Sequence, residues 1–175
     1  PDYVYELPDG IGVKGYDERG WCCAEAAMSS MVKDSSKILD LGVTQEPSTP
    51  ASTKLLSLMI KSCRAGRLPP LDPVVFKAQL DKKTFTCKKD DFEKVASLYQ
   101  GAFERHLGAA KELTFSGLGW EADSIGQLLH ALRGNSALCK LDLRGNAVGP
   151  AGAHAIAEAL CFNSALQKLD LSDNG

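Results

Sequence analysis

Six residues, Leu141-Asp142-Leu143-Arg144-Gly145-Asn146, return 28 positions later as Leu169-Asp170-Leu171-Ser172-Asp173-Asn174, and no other feature restricts the fold as much. The same step backward lands on Leu113-Thr114-Phe115-Ser116-Gly117-Leu118, and Asn135-Ser136-Ala137-Leu138 reappears as Asn163-Ser164-Ala165-Leu166. A period between about 20 and 50 residues marks a chain built from one supersecondary unit that buries its apolar edge only by stacking on its neighbours. In the unit 141–168, Leu141 and Leu143 alternate with Asp142 and Arg144, which gives a strand with one apolar and one wet face. Asn146 follows where its amide can bond backbone groups of the turn. Gly149-Pro150 then opens a segment with Ala153, Ile156, Ala157 and Leu160 at helical spacing. Units 113–140 and 141–168 are complete, and 169–175 begins a third whose apolar edge is expected to be covered by further repeats, a cap or a partner.

Upstream, the periodicity loosens. Thr84-Phe85-Thr86-Cys87 lies one period before Leu113-Thr114-Phe115. It is followed by Phe92, Val95, Leu98, Tyr99, Ala102, Phe103 and Leu107 on a helix entered at Asp90 or Asp91, so 84–112 reads as a degenerate first unit. Asp72-Pro73 is a start signal for a helix running to about Leu80, because Asp accepts from the first free amides and Pro loses nothing at the first position. Trp21 to Val32 has the spacing of a largely buried helix. A strand at Val4–Leu7 with a glycine-rich loop after it, a strand at Ile38–Leu41, an exposed connection at 43–50 and a helix from about Ser52 to Arg64 complete the reading. The fold class is α/β: a mainly helical region, 1–83, capping repeats that occupy 84–175.

The string LxLxxNxxGxxG, carried by Leu141, Leu143, Asn146, Gly149 and Gly152 and continued by Ile156 and Leu160, closely resembles the leucine-rich repeat of the ribonuclease-inhibitor subtype. The resemblance implies a short curved solenoid, with parallel strands on its concave face and helices on its convex face, used to bind other proteins. The first unit departs from the pattern, with Leu118 in place of Asn and Trp120 in place of Val148, which suggests an edge unit. A second, local resemblance lies in Tyr16-Asp17-Glu18-Arg19-Gly20-Trp21-Cys22-Cys23-Ala24-Glu25, which is similar to the WCxxE segment of Toll/interleukin-1-receptor (TIR) domains. It implies a TIR-like remnant in 1–83, a signalling role as the alternative function, and Glu25 as the glutamate of NAD cleavage in a longer form.

The net charge of −2 is balanced before residue 113 and slightly acidic after it, so no basic face points to nucleic acid. No apolar run reaches the about 18 residues a membrane span requires. Cys22, Cys23, Cys63, Cys87, Cys139 and Cys161 show no CxxC spacing and no histidine placed with them, so free, mostly buried thiols and a reducing intracellular compartment, cytoplasm or organelle interior, are expected. His106, His130 and His154 fall in different phases of the repeat and do not converge. No cofactor, metal site or catalytic residue is expected. The expected function is protein–protein interaction, as a scaffold or accessory subunit. The expected partner-binding residues are Thr114, Ser116, Asp142, Arg144, Asp170 and Ser172, which project from the strands away from the core.

Overall fold

The computed structural model describes residues 15, 18–32 and 67–175. The strands expected at Val4–Leu7 and Ile38–Leu41, the connection at 43–50, the helix from Ser52 and Cys63 lie outside the described residues. The chain mixes helices with a three-stranded parallel sheet. In order come α1 (Gly20–Val32), α2 (Pro73–Leu80), α3 (Lys88–Phe103) with a π-helical turn at Glu104–Gly108, β1 (Glu112–Thr114), α4 (Ala122–Leu132), β2 (Lys140–Asp142), α5 (Gly149–Leu160) and β3 (Lys168–Asp170).

The 28-residue period is the register of the sheet. Leu113 pairs with Leu141, and Leu141 with Leu169, in the spatial order β1-β2-β3. Leu141, Phe115 and Leu143 are buried on the helix side of the sheet, where Ile125, Leu128 and Leu132 of α4 and Ile156 of α5 meet them. On α5 the buried row is Gly152 and Ile156, while Ala153 and Ala157 are exposed. Gly152 is there for closeness, since a Cβ would lie 2.8 Å from Val148 Cγ1 and 3.4 Å from Ala122 Cα of the neighbouring helix. Each strand leads into a turn residue with a left-handed backbone: Gly117 (φ 66°), Gly145 (φ 67°) and Asp173 (φ 58°), one period apart.

Asparagine side chains tie the units together. Asn146 is buried, its Nδ2 donates to Phe115 O at 2.8 Å and Leu143 O at 2.7 Å, and its Oδ1 accepts from Leu118 N at 3.1 Å and Trp120 N at 3.0 Å. Asn174 repeats the pattern one period on, with Leu143 O at 2.9 Å, Leu171 O at 3.0 Å and Val148 N at 3.4 Å. At the other end of the unit, the buried Asn135 holds Leu107 O, Ala110 O, Ala137 N and Leu138 N. Among the described residues, Leu118, where Asn would stand in the first unit, has no earlier strand of the sheet to reach.

The N-terminal helices form a continuous core with the repeats. Asp72 Oδ1 accepts from Val74 N at 2.8 Å with Pro73 opening α2, and α2 and α3 meet where Phe76 stacks on Tyr99 at 3.7 Å between ring centres. Tyr99 is buried, donates to Leu71 O at 2.8 Å and accepts from Leu71 N at 3.1 Å. The tract Thr84–Cys87 that opens the degenerate unit makes a single bridge, Thr84 with Arg19, outside the sheet. The bridge arises because Thr84 N and O bond Glu18 O and Gly20 N, which turns this tract toward α1 instead of β1. There Gly20 lies against the Phe85 ring, leaving no room for a Cβ. α3 starts at Lys88, two residues before the expected Asp90, with Cys87 as its N-cap.

Two measurements check this account. Asn146→Ala removes the Asn146 partner of Phe115 O, Leu118 N and Trp120 N, while Leu143 O keeps Asn174, and should cost roughly 2–4 kcal/mol in chemical denaturation. Asn174→Ala, on the open side, should cost only roughly 1 kcal/mol; equal losses would refute the graded role. Burial pushes the Tyr99 phenol up to about 12, against the Leu71 amide N–H, whose hydrogen bond to the phenol oxygen favours ionisation. The folded value lies above the unfolded one of about 10, so its contribution is complete below pH 10 and is lost as pH rises toward 12. Tyr99→Phe should therefore lower stability at neutral pH by roughly 1–3 kcal/mol and flatten the alkaline loss, and an unchanged alkaline profile would show that another group drives it.

Candidate functional site

Polar side chains alternate with the buried leucines, so each strand sends one set toward water. Thr114, Asp142 and Asp170 are neighbours across the sheet. Ser116, Arg144 and Ser172 repeat the step two residues further on. Thr114, Ser116, Arg144 and Ser172 are exposed, and Asp142 and Asp170 are half-buried. The six expected residues thus fall in two rows of three along the solvent face.

Short local bonds hold the carboxylates of these rows. Asp142 Oδ1 accepts from Arg144 N at 3.0 Å, and Asp170 Oδ1 accepts from Ser172 N at 3.0 Å and Ser172 Oγ at 2.5 Å. Arg144 Nε reaches across to Asp173 Oδ2 at 2.9 Å, and Lys140 Nζ bridges to Glu112 at 3.2 Å. The Ser172 hydroxyl, then its amide, then Arg144 and Lys168 hold the Asp170 carboxyl below the usual range against its desolvation. Asp173, first by its hydrogen bond and then by its charge, raises the Arg144 guanidinium further, with Asp170 and Asp142 adding to it. The face is a fixed mosaic of both signs with hydroxyls between, suited to recognising a complementary polar surface. Both ion pairs are exposed to water and screened, so they orient side chains more than they stabilise the fold.

Other expected residues stand apart from the face. Glu25 is exposed on α1, Trp21 and Cys22 are half-buried there, and His106, His130 and His154 are all exposed. Among the described residues no cluster of His, Cys, Asp or Glu has a metal-binding arrangement, and no helix is long and apolar enough to cross a membrane. The described cysteines are free, but they are not the buried thiols expected: Cys22, Cys23 and Cys139 are half-buried, and Cys87 and Cys161 are exposed. They lie at a helix start, a helix end and the margins of the core, where small side chains are only partly covered.

Arg67 escaped the sequence reading. Its guanidinium donates to Ser30 O at 2.5 Å and Met31 O at 2.8 Å at the end of α1, donates to Thr114 O at 3.2 Å on β1, and lies 4.5 Å from the Phe115 ring centre. Its own carbonyl accepts from Trp120 Nε1 at 2.7 Å. The only sequence signal for this contact was Trp120, which departs from the repeat and needed a partner for its indole. Comparison with family models, with curated proteins and with solved structures found no match.

Because the folded Asp170 carboxyl titrates below its unfolded value of about 3.9, its contribution to stability is present above that value and fades as pH falls through the folded one. Ser172→Ala removes the hydroxyl that leads this effect, and the Asp170 resonance in an NMR pH titration should move back toward the ordinary carboxylate range. An unmoved midpoint would show that the hydroxyl does not set it.

Proposed function

We propose that the chain is a protein–protein interaction module, a scaffold or accessory subunit of a larger assembly. Thr114, Ser116, Asp142, Arg144, Asp170 and Ser172 form its recognition face. The observation that carries this reading is the in-register projection of these six residues from strands whose turns are fixed by buried asparagine amides. A face whose backbone is already ordered loses little conformational entropy when a partner docks, so a modest number of polar contacts suffices for binding.

In this proposal the recurring unit is a leucine-rich repeat of the ribonuclease-inhibitor-like subtype. The units stack as a short solenoid, and the region 1–83 with the degenerate unit 84–112 closes its first end. The repeat sequence, the parallel register and the asparagine bonds at matching positions support that reading. The free described thiols support an intracellular, reducing setting. The partner is another protein with a polar surface of mixed charge, and the module's task is capture and positioning.

The test compares affinity capture from native extract by the wild type, by Asp142→Ala/Arg144→Ala/Asp170→Ala, and by His154→Ala/Glu158→Ala on α5. The strand-face variant should lose its specific partners while melting within a few degrees of wild type, since the bonds removed are exposed. The helix-face variant should retain them. Equal capture by all three proteins removes the assignment.

A further inference from the structure

The charges on the strand face are not those the sheet alone would favour. Lys140 pairs in register with Lys168, and Asp142 with Asp170, so like charges stand directly opposite one another twice on the solvent face of β2 and β3. Pairs of that kind destabilise a sheet, and the reverse order of charges on β3 would remove both conflicts at once. The fold relieves them only in part. Lys140 Nζ turns to Glu112 at 3.2 Å, and Arg144, one row beyond the carboxylates, is bonded to Asp173 at 2.9 Å. One oxygen of each carboxylate is held at 3.0 Å by the amide two residues on, Arg144 N for Asp142 and Ser172 N for Asp170, which fixes the two groups side by side. A chain that is otherwise consistent from level to level breaks such a rule where function overrides stability.

The geometry of the conflict says what resolves it. Neighbouring strands lie about 4.8 Å apart, and residues two apart on one strand about 6.6 Å, so the four side chains mark a rectangle. Its short sides are two cations and two carboxylates. One carboxylate set between Lys140 and Lys168, together with one cation set between Asp142 and Asp170, answers all four charges. Those two groups must stand about 6.6 Å apart along the strands. A helix lying along the strands meets this with an acidic and a basic residue four apart, which share a face and differ in height by about 6 Å. An extended segment has a similar reach between alternate residues, but laid across this face its backbone N–H and C=O groups meet side chains and no ladder. A helix brings its backbone already paired.

We propose that the strand face takes an α-helix of another protein, seated along β2 and β3 with a carboxylate over Lys140 and Lys168 and a cation one turn away over Asp142 and Asp170. This rests on the reading of the strand face as a recognition surface and names the form of its partner. The test titrates the 15N-labelled 175-residue chain at low salt with three stapled, alanine-rich helices. One carries a glutamate and a lysine four residues apart on the face away from the staple, one carries two glutamates there, and one carries two lysines. The mixed helix should bind at least about tenfold more tightly than either of the others and should shift the amides of Lys140, Asp142, Lys168 and Asp170. Lys168→Glu sets unlike charges opposite each other beside Lys140, so it should keep or raise the thermal midpoint while abolishing the preference for the mixed helix. A mixed peptide interrupted by proline, and so unable to form the helix, should bind more weakly than its stapled counterpart. Equal binding of the three helices, no shift at millimolar peptide, shifts confined to α4 and α5, a proline-interrupted peptide that binds equally well, or a Lys168→Glu variant that melts lower or keeps the wild-type preference would each overturn the proposal. Failure of the helices while Asp142→Ala/Arg144→Ala/Asp170→Ala still loses its partners from extract would leave the recognition face standing, and failure of both would remove the face itself.

Discussion

A buried amide sets the geometry on which the rest of the structure depends. Asn146 presents two donors and one acceptor oxygen at a place where the chain has just left a strand and its backbone groups have no ladder to join. Such groups are costly to bury unless each finds a partner. By bonding both its own turn and the turn of the preceding unit, Asn146 makes the position of one unit a condition for satisfying the next. The sheet register, the close α4–α5 approach at Gly152 and the alignment of the solvent-facing rows all follow from units locked in this way.

The helical region joins this array by a similar economy of polar groups. The last turn of α1 leaves carbonyls without helical partners, and its end favours a positive charge. Arg67 meets both needs through Ser30 O and Met31 O while its remaining arm reaches β1. The side chain thus joins the end of α1 and the edge of β1 in one contact. Its guanidinium plane covers Phe115, where stacking adds to the hydrogen bonds.

What the residues announced in advance was whatever depends on local periodicity. Alternation at Leu141–Arg144 placed the strand and its wet face, Asp72-Pro73 placed the start of α2, and the spacing of Trp21 to Val32 placed α1. The asparagine bonds followed from the amide's chemistry once the turn was located. Other features depend on contacts remote in sequence and leave no periodic trace. Arg67 lies 47 positions from Thr114. Thr84 resembled a repeat strand in sequence yet pairs with Arg19, because its flanking backbone finds Glu18 and Gly20. Of the candidate face, the six residues were legible, but the reach of Arg144 to Asp173 was not. Asp173 occupies the left-handed turn position that glycine holds in the earlier units, and only the fold brings it beside the preceding strand.

Arg67 also bears on how the protein behaves in a crowded solution. A repeat whose two sides complement one another carries a hazard, since an open strand edge templates strand addition and each added chain offers a fresh edge. Chains joined head to tail in this manner grow without limit unless the rotation closes a ring. A single guanidinium on the outward carbonyl of β1 removes one of the two faces such growth needs. It blunts strand addition at β1, whatever stands at the other end of the array.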